Sequence, residues 1–81
     1  MPSTSRDQSA QADGQKEGGI LAIFEAEESP LLRFAFSLTG RRAIAEEVVQ
    51  EVFLQLHRHW DNVENPRAWL YRSVRNRSYN H

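Results

Sequence analysis

The apolar residues between positions 44 and 60 repeat with a helical period. Ile44, Val48, Val49, Val52, Phe53, Leu56 and Trp60 are separated by four, one, three, one, three and four residues. This spacing gathers them into one stripe along an α-helix and fails the strict alternation of a strand. The opposite face carries Glu46, Glu47, Gln50, Glu51 and Gln55. A helix of this kind needs a second apolar surface to cover its stripe, and the flanking segments supply it.

Before it, Leu31, Leu32, Phe34, Ala35, Phe36 and Leu38 run into Thr39-Gly40, a helix stop. Residues 20–28, with Ile20, Leu21, Ile23 and Phe24, can form a short amphipathic helix. Ser29-Pro30 between them reads in two ways: an N-cap with proline at the first helical position, or a kink within one longer helix. After the stripe, residues 61–65 form a polar loop. Asn65-Pro66 is another N-cap and proline pair, so a last helix is predicted from Pro66 towards Tyr79. No segment reads as a strand. The sequence predicts an all-α fold, a small three- to four-helix bundle. Its predicted core is Leu31, Phe34, Phe36, Leu38, Val49, Val52, Phe53, Leu56, Trp60, Trp69, Leu70 and Val74.

With 81 residues, at most one small domain fits. Residues 1–18 are rich in Ser, Gln, Asp and Gly and lack large apolar side chains, so a flexible tail is expected there and a helical domain over 19–81. Charge is divided along the chain. Residues 1–29 carry Arg6 and Lys16 against six acids, a net −4, whereas residues 30–81 carry eight arginines against five acids, a net +3. From Pro66 onward there are four arginines and no acid. A basic end on a chain of net charge −1 suits a local anionic partner.

The chain has no cysteine, which excludes disulfides and thiolate metal sites. No apolar run approaches the roughly 20 residues of a membrane span, and the N-terminus lacks the apolar stretch of a signal peptide. A soluble, cytoplasmic protein is expected. Catalysis finds little support: there is no Gly-rich phosphate loop, no His-Glu metal motif and no nucleophile elbow. His57 and His59 are two apart and diverge on a helix, as do the adjacent Glu46 and Glu47. No cofactor and no metal are expected, and the chain reads as something other than an enzyme.

The last helix carries the more specific pattern. At about 100° per residue, Leu70 and Val74 fall together with Trp69 and Ser73 on their flank, while Arg67, Tyr71 and Arg75 stack on another face beside Arg72 and Asn76. Guanidinium forks bind phosphates, and aromatic faces stack on unpaired bases. The plain alternative is a solvated arginine face favoured by the helix dipole, with Trp69 in the core. The acidic face of residues 46–51 is likewise either a solvent face or a docking surface for a basic partner.

Two runs resemble a known family. Ala45-Glu46-Glu47-Val48-Val49-Gln50-Glu51-Val52-Phe53 resembles the core-binding helix of sigma factors of the extracytoplasmic-function (ECF) group. Asn65-Pro66-Arg67-Ala68-Trp69-Leu70-Tyr71-Arg72-Ser73-Val74-Arg75-Asn76 resembles the promoter-recognition helix that follows it, and residues 31–40 are similar to the family's first helix. The resemblance covers about residues 20–79 and implies a sigma region 2-like bundle. It implies docking on the clamp helices of the RNA polymerase beta-prime subunit through Glu46, Glu47, Gln50 and Glu51, with Glu47 standing where the family commonly has aspartate. It also implies recognition and melting of the promoter minus-ten element. Asn62 and Asn65 would receive a flipped base, and Arg67, Tyr71, Arg72, Arg75 and Asn76 would hold the non-template single strand. Trp69 and Leu70 would mainly pack. An anti-sigma factor is a further implied partner. The family's second domain, a helix-turn-helix that reads the upstream promoter element, is not expected within these residues.

Two other readings stay open on the residues themselves. One is a helix-turn-helix regulator, with residues 39–42 as its turn, although the helix that follows is acidic on its exposed face. The other is a helical protein-interaction module without DNA binding.

Overall fold

The computed structural model describes residues 16–80. Three helices fill it: α1, Gly19–Thr39; α2, Arg42–Arg58; and α3, Pro66–Tyr79, with one 3-10 turn, Trp60–Asn62, between the last two. Among the described residues no strand forms. Each helix packs on both of the others, so the fold is the expected all-α bundle with three helices. The expected tail of residues 1–18 lies outside the described residues except for Lys16, Glu17 and Gly18.

Ser29-Pro30 does not start a new helix. Pro30 sits inside α1, which runs unbroken past it. Proline's fixed φ is helical, and the missing N–H removes one backbone bond. Ile23, Leu31 and Ala35 lie along one side of α1, and all three are buried. Both halves of α1 therefore share one core face, and a break would tear the first half from it.

The helix ends follow local chemistry. Gly40 takes the left-handed conformation, φ 70°, and its N–H donates to the Phe36 carbonyl at 2.8 Å, closing α1. Arg41 alone then separates Gly40 from α2. At α3, Asn65 Oδ1 accepts the Ala68 N–H at 3.2 Å and Pro66 occupies the first turn, as the sequence predicts.

The buried core is Ile23, Leu31, Ala35, Ala45, Val48, Val49, Val52, Phe53, Leu56, Val63, Leu70 and Val74. Phe24 meets Phe53 edge to face at 4.9 Å between centroids. Phe34, Trp60 and Trp69 pack against this core half-buried, and Leu38 is also half-buried. Phe36 departs from expectation: it is 50% exposed. The 31–38 run has more apolar residues than one helix face can bury, and Phe36 lies on the side left over. There it lines an open apolar cleft with Leu32, Arg33, Arg42, Ala45 and Glu46.

Candidate functional site

The 61–65 segment is more ordered than a polar loop. His59 accepts the Asn62 N–H at 2.9 Å and Trp60 accepts the Val63 N–H at 3.4 Å, through their carbonyls. Val63 is buried, which anchors the turn and leaves Asn62, Glu64 and Asn65 exposed beside it. These residues, with His59, Val63, Ala68, Trp69 and Arg72, line an open cleft of about 460 Å³, a size that suits a small ligand group. A second cleft runs between α2 and α3, lined by Val52, Gln55, His59, Trp69, Ser73, Asn76, Arg77 and Asn80. His59 and Trp69 belong to both. One cleft lies at the turn and the other along α3, and amide and guanidinium side chains line both.

The residues singled out in the sequence are thereby divided. Asn62, Asn65 and Arg72 line the first cleft, and Asn76 lines the second. Arg67 and Tyr71 turn towards α1 instead. Arg67 Nε lies 3.5 Å from Glu27 Oε2, whose side chain is only 12% exposed. Tyr71 is half-buried, and its ring meets Phe34 at 5.2 Å between centroids. Arg75 is exposed and lines neither cleft.

On α2, Glu46, Glu47 and Gln50 are exposed. Glu46 Oε2 pairs with Arg42 Nε at 3.5 Å, one turn apart and open to solvent, a contact worth well under about 1 kcal/mol. Glu51 is half-buried and shares a small cleft with Glu47, Val48 and Arg77 of α3. The centre of the exposed face is apolar: Leu54, one turn beyond Gln50, is 59% exposed.

The chain that carries this acidic helix face, ordered turn and basic helix has relatives of known family. The Sigma-70 region 2 family model matches residues 23–81. The chain belongs to the sigma-70 region 2 family. This region 2 domain is also similar to the ECF RNA polymerase sigma factor SigL of Mycobacterium tuberculosis, 39% identical over 59 residues in each of three strains. The similarity makes it a region 2 domain of the ECF group. It covers 68% of this chain and 33% of those relatives, so the chain spans about a third of their length. No solved structure matches the chain.

Sequence reasoning on the region 2 domain missed five contributors to these surfaces, His59, Ser73, Arg77, Asn80 and Leu54, and it put Gln55 on the acidic face although this residue lines the α2–α3 cleft. His59 lies beyond the regular end of α2, where helical periodicity gives no orientation. Ser73 and Asn80 lie on the Trp69 side of α3, a turn apart from Asn76 and so legible as a row. Leu54 breaks the acidic face and was hidden by the longer stripe beside it. Among the described residues of the region 2 domain, no three His, Asp or Glu side chains gather as a metal site. Nor is any helix there long and apolar enough to cross a membrane.

Proposed function

We propose that this region 2 domain docks on the RNA polymerase core through the exposed face of α2 and holds the melted non-template strand of the promoter minus-ten element along the α2–α3 cleft. The observation that carries the reading is the pair of clefts that share His59 and Trp69. Amide side chains meet at the ordered turn, where a flipped base would sit. Trp69 also lines the second cleft, with Ser73, Asn76 and Asn80.

Asn62 and Asn65 offer hydrogen-bonding edges to an extruded base. His59 and Trp69 offer π faces to its neighbour, worth roughly 1–3 kcal/mol per stacked base. Extruding a base from a duplex costs a few kcal/mol, so one captured and one stacked base together offset the opening. No bond chemistry enters; the domain acts in initiation by binding alone. Arg72 and Arg77, which line the two clefts, meet phosphates. In this reading Arg67 and Tyr71 serve the strand indirectly, by seating α3 on α1. Arg75 contacts the backbone outside the cleft.

On the other face, Gln50 and Leu54 form the centre of the docking surface, with Glu46 and Glu47 as its acidic rim. An exposed leucine among hydrogen-bonding and charged groups is the arrangement of an interface core with a polar rim. The natural counter-surface is basic, which is the chemistry expected of the beta-prime clamp helices. An anti-sigma factor would compete by covering either face.

Two binding measurements test the proposal. Fluorescence anisotropy with a single-stranded minus-ten oligonucleotide should give tighter binding than the same sequence as duplex. A beta-prime clamp-helix fragment should bind the chain and lose at least tenfold in affinity to the Gln50→Ala, Leu54→Ala variant, about 1.4 kcal/mol. A folded chain that binds neither probe removes this function.

A further inference from the structure

Outside the strand cleft, one contact joins parts of the chain 44 positions apart. Lys16 Nζ donates to the Trp60 carbonyl at 2.7 Å, and the same ammonium lies 5.0 Å from the centre of the Trp60 ring. Trp60 is the first residue of the 3-10 turn. Its carbonyl also accepts the Val63 N–H, but at a longer 3.4 Å, so the lysine is the closer partner. The indole itself packs, partly buried, against the core, which holds the ring in place beside the charge. The carbonyl lies just past the C-terminus of α2, where the helix dipole favours a cation.

The chain is shaped to make this contact. Gly18 and Gly19 both take left-handed conformations, φ 80° and 74°, which L side chains rarely adopt. A Cβ at Gly18 would stand 2.9 Å from the Ala22 Cβ. The paired glycines shape the backbone between Lys16 and the start of α1, and Lys16 reaches the turn from there.

We infer that Lys16 is a positioning residue for the strand-capturing turn: by holding the Trp60 carbonyl and ring, it fixes the 3-10 turn that presents Asn62 and leads to Asn65. The inference rests on the strand-capture reading above. Lys16 lines neither cleft and touches no base. It acts by limiting the conformations of the turn, so its loss weakens discrimination more than it weakens folding.

The experiment uses the whole chain as wild type, Lys16→Met and Lys16→Arg. Amide hydrogen exchange at Asn62 and Val63 should quicken in Lys16→Met by about three- to tenfold, the loss of one charge-assisted hydrogen bond, while Leu56 and Leu70 stay protected. Wild type should prefer a minus-ten single strand over the same strand with an abasic captured position. Lys16→Met should lose most of that preference, and Lys16→Arg should recover it, because arginine keeps both the donor and the cation. Binding to the clamp-helix fragment should not move. Unchanged exchange at Asn62 and Val63 overturns the inference. So does faster exchange with the base preference intact, since Lys16 would then be structural only. A wild-type chain indifferent to the missing base overturns strand capture itself, and the positioning role with it. The exchange data would still report whether Lys16 orders the turn.

Discussion

The Asn65 amide has an acceptor end and a donor end, and α3 uses the first. Oδ1 caps the helix by accepting from Ala68. What Asn65 can offer a captured base is the NH2 group, together with the second lone pair of Oδ1. Two substitutions separate these roles. Asn65→Asp keeps the capping oxygen and should hold stability within about 0.5 kcal/mol of wild type. It removes the donor and adds a negative charge beside the strand, so single-strand affinity should fall about tenfold, one charge-affected hydrogen bond's worth. Asn65→Ala should lose both, with stability down by about 1 kcal/mol. Urea unfolding and anisotropy on the same samples make the check. An Asp variant that binds strand as well as wild type would leave Asn65 a cap and nothing more. Arg67 shows the converse case. It reads in the sequence as a phosphate ligand, yet its guanidinium lies against Glu27. Nothing local to α3 signals this, because the partner lies 40 positions earlier in the chain.

Within elements, what depends on neighbouring residues was legible and what depends on a second helix was not. The stop at Gly40, the cap at Asn65 with Pro66, the span of α3 and the buried stripe of α2 all follow from short-range chemistry, and the structure carries each of them. The two faces of α3 were legible only as angles. Which of them meets α1 is decided by packing: the sequence groups Tyr71 with the strand ligands, and in the fold its ring lies on Phe34. Phe36 reads as core for the same reason, and it is half exposed. Pro30 could not be settled from sequence because Ser-Pro marks a helix start and interrupts a helix equally well. Its interior position carries a consequence. A proline there forfeits the bond to the Ala26 carbonyl, and interior proline costs up to about 3 kcal/mol relative to alanine. Pro30→Ala should stabilise the domain by about 1–3 kcal/mol, seen as a higher urea midpoint at unchanged m-value. A destabilised variant would mean that the proline ring's packing outweighs the lost bond. Leu70→Ala tests the other limit. Leu70 is fully buried, and a loss of about 2–5 kcal/mol approaches the whole stability of so small a domain.

Across the whole molecule, the proposed docking and strand surfaces use different sides of α2. Gln50 and Gln55 are five residues apart, about 140° around the helix, the first on the exposed face and the second in the α2–α3 cleft. Surfaces so separated and without shared partners should contribute independently. Gln50→Ala with Leu54→Ala should weaken clamp-helix binding at least about tenfold and leave single-strand affinity within about twofold. Glu47 is a poorer choice, because it shares a cleft with Arg77 and Glu51 and so borders both surfaces. Arg72→Ala should do the reverse. The chain's net charge of −1 gives it no long-range pull on DNA, so strand affinity depends on the few cations along the cleft. Arg72, Arg75 and Arg77 limit the phosphate contacts to about three, which sets the slope of log K against log salt near −2 for a single strand. Removing Arg72 should reduce its magnitude by about 0.7 while clamp-helix binding stays constant. A slope that does not change would take Arg72 off the strand's path and leave base contacts at the turn as the main source of affinity. A slope much steeper than −2 would bring Arg67 back as a phosphate ligand, released from Glu27 when the strand arrives.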